Sequence, residues 1–300
     1  MPFTPPPDER TREAFPEVES LEEFARGGFK VVYRTIVAET REVFKLVCLP
    51  PPGRTEEERA YRNECLGRIR REIELLGRCS RPELVKLGAI APRLVTIGDI
   101  DYVGYTEEYV MGENLGVILR QRGPLPEELE ARSLLRALLL AIEELWTNFR
   151  VVHRDIKPEN VIKTGNPVRP FVLLDLGIAY CVSETGLTAD SAQIPMTPRY
   201  MAPEMARPDF RRNLDFRADI YTSALTVFEY AAQIHPLART RDDLIQTISR
   251  AVTQAPRNLK SERPDFGDIF CQLVAQMLKK KPMLRPSNLR TLIEEMEERR

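Results

Sequence analysis

Between residues 153 and 160 the chain reads HRDIKPEN. Asp155 is a carboxylate able to take a proton from a hydroxyl, and Lys157, two positions on, can neutralise an anion beside it. Asn160 offers an amide oxygen of the kind that suits a hard cation such as Mg²⁺. Fifteen positions later Asp175, in LLDLG, ends an apolar run and offers a second hard oxygen ligand. A base, a cation and two metal ligands make chemical sense together when the substrate is a metal-bound polyphosphate. In phosphoryl transfer the protein does little covalent work; it positions groups and neutralises charge.

The elements that must hold these residues follow from periodicity. VIKT and FVLLDLG predict a hairpin that returns Asp175 towards Asn160. Further upstream, FKVVYRTIVAETREVFKLVCL alternates at strand spacing and breaks at AETRE, which predicts two or three antiparallel strands. PPPG at 50–53 stops them. Residues 55–78 carry acid first and base later, with Leu66, Ile69, Ile73 and Leu76 on one helical face. LVTIGDI and YVGYTEEYV predict another strand pair, turning near Gly98 to Asp101. After MGENL the pattern becomes helical, with a long helix from PLPEELEARSLL towards Asn148 and further helices from Asp219 onward. The expected layout is α+β: a mobile tail over 1–20, a strand-rich part over 21–110 and a helix-rich part over 111–300.

Composition narrows the function classes. The chain has 300 residues, 43% hydrophobic, enough for a sizeable core, and 44 basic residues balance 45 acidic ones. A net charge of -1 argues against nucleic acid and against a membrane surface as partners. Cys48, Cys65, Cys79, Cys181 and Cys271 are scattered, with no C-x-x-C pair, which fits a reducing compartment and a cytoplasmic location. The opening MPFTPPPDER lacks the layout of a signal peptide, and ALLLAIEELW carries glutamates that suit a buried helix rather than a span.

Taken in order, HRDIKPEN, DLG and MTPRYMAPE (196–204) resemble the catalytic loop, the metal motif and the end of the activation segment of eukaryotic-type protein kinases. The likeness runs from about Leu21 to the C-terminus. It implies a two-lobed protein kinase fold, with a small antiparallel-sheet lobe bearing one main helix and a larger, mainly helical lobe. It implies ATP and Mg²⁺ as cofactors, and serine or threonine hydroxyls of proteins as acceptors, the chain itself in trans among them. Lys157 and Thr197 are similar to the serine/threonine class, in which such a threonine bonds the residues corresponding to Asp155 and Lys157.

The same resemblance assigns roles along the chain. Asp155 is the base, Lys157 stabilises the group in transfer, and Asn160 and Asp175 hold the metal. VFK (43–45) resembles the third-strand motif, so Lys45 is expected on the α- and β-phosphates. Its partner is expected in REIELL: Glu72 by the family pattern, with Glu74 as the competitor on another side of the helix. ARGGFK (25–30) aligns with the glycine-rich loop; Gly27 and Gly28 stand at its tip, Ala25 and Lys30 replace its outer glycines, and Val32 follows as a nucleotide contact. EEYVMGEN resembles the hinge, with backbone groups of Glu108 and Val110 on the adenine and Asn114 or Glu113 on the ribose. Asp219 is expected to brace the catalytic loop, Glu204 to pair with Arg285, and Arg154 to receive a phosphate on Thr188 or Ser191. His153 is expected to pack in the core and His235 to be a loop residue without a role. Glu107 departs from the pattern, standing where the family has an apolar or threonine side chain. Such departures keep an alternative open: a pseudokinase that binds nucleotide as a scaffold or interaction module.

Overall fold

In the computed structural model of the chain, the described residues are 3–176, 180–181 by backbone alone, 197–207, 210, 214–239 and 241–297. They fall into two units. The first joins Met1–Cys79 with Val85–Val110; the second joins Ser80–Leu84 with Met111–Arg300.

In the first unit, β1 (Glu22–Arg26), β2 (Lys30–Val37), β3 (Thr40–Cys48), β4 (Arg93–Ile97) and β5 (Ile100–Glu108) form one antiparallel sheet in the order β1-β2-β3-β5-β4. The break read at AETRE is a two-residue hairpin turn in which Ala38 and Glu39 both have positive φ, 47° and 64°. That is the backbone twist tight hairpins require, here without glycine. Gly98, at φ 64°, makes the β4–β5 turn. The helix α2 (Glu56–Arg78) opens with a reciprocal cap: Thr55 Oγ1 accepts from Glu58 N, and the Glu58 carboxylate accepts from Thr55 N. Of the four apolar positions read on its inner face, Ile69 and Leu76 are buried, and Leu66 and Ile73 are half-buried.

The stretch 1–20, expected to be a mobile tail, contains a helix and two buried apolar side chains. Asp8–Ala14 forms a helix, α1, and Phe15 and Val18 are buried in the sheet core beside Val31, Tyr33, Phe44, Leu46 and Tyr102. Phe15 meets Phe44 edge-on at 4.9 Å, and the Arg93 guanidinium lies 4.6 Å from its ring centre. A Cβ on Gly104 of β5 would come within 2.9 Å of three Phe15 ring carbons. Proline and charge dominate the composition of this segment, yet one fully buried aromatic ring anchors it.

The second unit contains β6 (Glu113–Asn114), α3 (Leu115–Gln121), α4 (Glu128–Phe149), β7 (Val151–Val152), β8 (Val161–Lys163), β9 (Phe171–Leu173) and β10 (Tyr180–Cys181). The helices α5 (Arg217–Ala232), α6 (Leu244–Thr253), α7 (Leu259–Glu262), α8 (Asp268–Met277) and α9 (Leu289–Glu297) follow. β8 and β9 pair as the hairpin expected before Asp175, with β6 on the far side of β8. α3, α4 and α5 each end on a left-handed residue, Arg122, Arg150 and Gln233. α5 is the axis of the unit: every residue from Ala218 to Ala231 is buried. Ser80–Leu84 is tied here by the Glu144 carboxylate, which accepts from Ser80 N at 2.6 Å and Arg81 N at 2.8 Å. Leu173 N donates to Glu83 O at 2.8 Å, beside a bridge between Leu84 and Leu173.

Candidate active site

In the second unit HRDIKPEN lies between β7 and β8, and its backbone is fixed from below by α5. Asp219 is fully buried and accepts from His153 N at 2.7 Å and Arg154 N at 2.9 Å. Burial pushes its carboxyl above the ordinary range, while the neighbouring His153 and the two amide donors pull it back. The resulting turn holds Arg154 at φ 68°, a left-handed conformation that costs a non-glycine residue free energy. His153 packs in the core, 0% exposed. Its Nδ1 lies 3.3 Å from Asp155 N, and its Nε2 lies 3.3 Å from Leu174 O.

Asp155 is bonded on both oxygens. Lys157 Nζ lies 2.6 Å from Oδ2 and Asn160 Nδ2 donates to the same oxygen at 3.0 Å, while Thr197 Oγ1 donates to Oδ1 at 3.0 Å. The Thr197 hydroxyl accepts in turn from Lys157 Nζ at 2.6 Å, which closes a ring of three side chains. Asn160 Nδ2 also donates to Asp155 O at 2.9 Å, so the amide nitrogen is directed inward and Oδ1 is its acceptor face. Leu174 N donates to Asn160 O at 2.8 Å, which ties the residue before Asp175 to Asn160. Asp175 has φ 59°, the second left-handed non-glycine residue of the site.

The segment after Thr197 is pinned to the same core. Tyr200 donates its hydroxyl proton to Glu229 Oε2 on α5, and Arg199 Nη2 lies 2.7 Å from Glu229 Oε1. Arg285 is buried and grips Glu204 with both terminal nitrogens, at 2.6 and 2.7 Å, while also donating to Arg217 O and Lys279 O. His235 lies in a loop, as expected, and its side chain is buried there. It is 5% exposed, and its Nδ1 accepts from Leu237 N and Ala238 N at 3.1 and 2.8 Å. Burial and the nearby Arg199 charge lower its pKa from the ordinary 6.5 to about 3.

In the first unit Lys45 lies on the sheet face opposite Phe44 and Leu46. Of the two glutamates considered as its partner, Glu72 Oε1 is 3.1 Å from Lys45 Nζ, whereas Glu74 is exposed and paired with Arg78. Glu107 also reaches Lys45, with Oε1 2.5 Å from Nζ. Tyr105, missed in the sequence, donates its hydroxyl proton to Glu72 Oε1 at 2.8 Å. Burial and the Glu72 charge hold that phenol well above its usual range, so it stays a donor. Gly27 N donates to Lys30 O at 2.7 Å across the β1–β2 turn. A Cβ at Gly28 would meet nothing within 4 Å, and one at Gly27 only Lys30 O at 3.8 Å. Val32 is buried opposite Lys45 in the β2–β3 register. Glu108 exchanges bonds with Lys86 through its N–H and carboxylate, and Val110 ends the unit.

Asn114, expected on the ribose, has its amide bonded within the second unit. Its Oδ1 caps α3 by accepting from Gly116 N at 2.9 Å, and its Nδ2 donates to Glu159 O at 2.6 Å, so both ends of the amide are engaged within the unit. Glu113 is exposed. Thr188 and Ser191, and the side chain of Cys181, lie outside the described residues.

Comparison with known proteins agrees with this arrangement. The family model described as the protein kinase domain matches residues 18–297. The chain belongs to the protein kinase family, and its fold is the two-lobed kinase fold, a small antiparallel-sheet lobe and a larger, mainly helical one. It is similar to the mitogen-activated protein kinase kinase kinase ANP1 of Arabidopsis thaliana, 26% identical over 95% of this chain and 40% of that protein. It is likewise similar to the serine/threonine-protein kinase PknD of Mycobacterium tuberculosis, 28% identical over 87% of this chain and 36% of that protein. A shorter match, 30% identical over 57% of this chain and 46% of the relative, is to the dual specificity mitogen-activated protein kinase kinase mek-1 of Caenorhabditis elegans. The chain thus spans less than half the length of these relatives.

Proposed function

We propose that this chain transfers the γ-phosphoryl group of ATP to serine and threonine hydroxyls of proteins, itself in trans among them, in the cytoplasm. The observation that carries the reading is the Asp155–Lys157–Thr197 ring, with Asn160 directed into it. Lys157 and Thr197 orient the Asp155 carboxylate, which then accepts the proton of the acceptor hydroxyl. Lys157 also neutralises charge on the group in transfer. Lys45, held by Glu72, takes the α- and β-phosphates. Gly27 and Gly28 lie in space where the protein itself would tolerate a side chain, so a close approach of phosphate to the backbone is the reason we assign for them. Backbone groups of Glu108 and Val110 take the adenine edge, with Val32 beside them.

The donor set suits Mg²⁺. Asn160 presents an amide oxygen because its nitrogen is spent on Asp155, and Asp175 adds a carboxylate tied in sequence to the Leu174–Asn160 bond. When bound, the ion would neutralise charge on the phosphates. Arg154, held in its strained turn, is the receiver we assign for a phosphate on Thr188 or Ser191. Relatives named as serine/threonine kinases support the acceptor class.

The test is incubation with labelled ATP and a cell extract, comparing the wild type with Asp155→Asn. Label transfer by the wild type and its loss in the variant is the expected result. Nucleotide binding with no transfer by the wild type would favour the pseudokinase alternative instead.

A further inference from the structure

Lys45 lies opposite Tyr105 in the β3–β5 register, and the next pair along the same face is Val43 with Glu107. Glu107 is therefore diagonal to Lys45, a spacing that long side chains bridge readily. Both are buried, at 4% and 5% exposure, and so is Glu72 at 6%. The ammonium has three N–H donors, and two carboxylates lie within 3.1 Å of it. Glu72 has a second donor in the Tyr105 hydroxyl, so its place does not depend on Lys45 alone. Glu107 gives the nearer of the two contacts.

One positive charge facing two negative ones is a poor receiver for an anion. A polyphosphate approaching Lys45 meets an ammonium already occupied, and a buried carboxylate that repels it through a medium of low dielectric. A single carboxylate partner would leave Lys45 oriented and the pair neutral; the second makes the trio net negative. We propose that Glu107 sets the nucleotide affinity of this chain, competing with the phosphates for the Lys45 ammonium and so weakening ATP binding. The proposal rests on the reading of Lys45 as the phosphate contact. It turns Glu107 from a misfit of the family pattern into a negative regulator of that contact.

The full chain is titrated by calorimetry with ATP and, separately, with adenosine, for the wild type, Glu107→Gln and Glu107→Met. Glutamine keeps an acceptor for Lys45 without the charge; methionine keeps the volume alone and serves should glutamine fail to fold. ATP binding tightens on the order of tenfold in either variant, and the KM for ATP falls in step, while adenosine binding stays where it was. A change in pocket shape would move adenosine and ATP together. Equal shifts for both ligands, an unchanged or weaker ATP affinity, or no ATP binding by any of the proteins overturns the proposal. Transfer to protein by the wild type is scored separately. Tightened ATP binding without transfer keeps this proposal and removes the kinase reading; transfer with unaltered affinity does the reverse.

Discussion

Replacing Gly104 by alanine puts a methyl group where the Phe15 ring now sits, within 2.9 Å of three of its carbons. A fully buried ring against a central strand has no room to retreat, so the overpacking is expected to cost about 1–3 kcal/mol. Phe15→Ala removes the ring instead, with its edge contact to Phe44 and its stack under Arg93, and is expected to cost about 3–5 kcal/mol. The informative quantity is the coupling. In the Phe15→Ala background the methyl at position 104 enters the vacated space, so the second substitution should cost close to nothing, or stabilise slightly. The double variant is then more stable than the sum of the singles by about 1–3 kcal/mol. Urea unfolding followed by circular dichroism, with hydrogen exchange of the β2, β3 and β5 amides to localise the loss, gives all four values. If Gly104→Ala costs the same in both backgrounds, or Phe15→Ala costs under about 1 kcal/mol, the N-terminal segment is not the anchored element described above.

Arg285→Met leaves the Glu204 carboxylate without its bidentate partner and frees the carbonyls of Lys279 and Arg217, so thermal and urea unfolding should show a loss of about 3–5 kcal/mol. Arg285→Lys should recover little of it, because an ammonium cannot reproduce the planar fork. His235 predicts a pH dependence. Its folded pKa, about 3, lies below its ordinary 6.5, so the unfolded chain binds the proton first as pH falls. Stability is full above 6.5 and declines at about 1.4 kcal/mol per pH unit as pH falls from there towards 3. His235→Asn keeps an acceptor for Leu237 N and Ala238 N but does not titrate. The difference between wild type and variant, measured from pH 7 to 5, should show that slope; a flat difference would contradict the buried neutral ring.

The parts of this molecule that sequence conveys are those whose reasons are local. The helix at 56–78 announces itself by acid before base, and the hairpin before Asp175 by two short apolar runs. Asp155, Lys157 and Asn160 are legible because their chemistry lies within six residues. What sequence hides depends on register and on distant partners. Phe15 looks like one apolar residue in a segment of prolines and charges until Gly104 is seen beneath it. Asn114 is read as a ligand contact because its neighbours suggest a hinge, and its bonds to Gly116 N and Glu159 O come into view only when the start of α3 and the loop at 153–160 are placed. Glu107 stands out as an anomaly, but its meeting with Lys45 needs the β3–β5 alignment to be known to the residue. α5 defeats an amphipathic reading altogether, since it is buried on every side and carries Asp219, Thr222, Ser223 and Thr226 inward.

The five residues Ser80–Leu84 interrupt the first unit and belong to the second. The polypeptide therefore changes unit three times, after Cys79, Leu84 and Val110, and no single cut yields both units whole. A fragment starting at Met111 would lack Glu83 O, the acceptor for Leu173 N, and the Ser80 and Arg81 amides that engage Glu144. A fragment ending at Val110 would carry Leu84, fully buried in the intact chain, without its bridge partner Leu173. During synthesis the larger unit thus has to keep a short piece of early chain in reserve until β9 and α4 have both emerged.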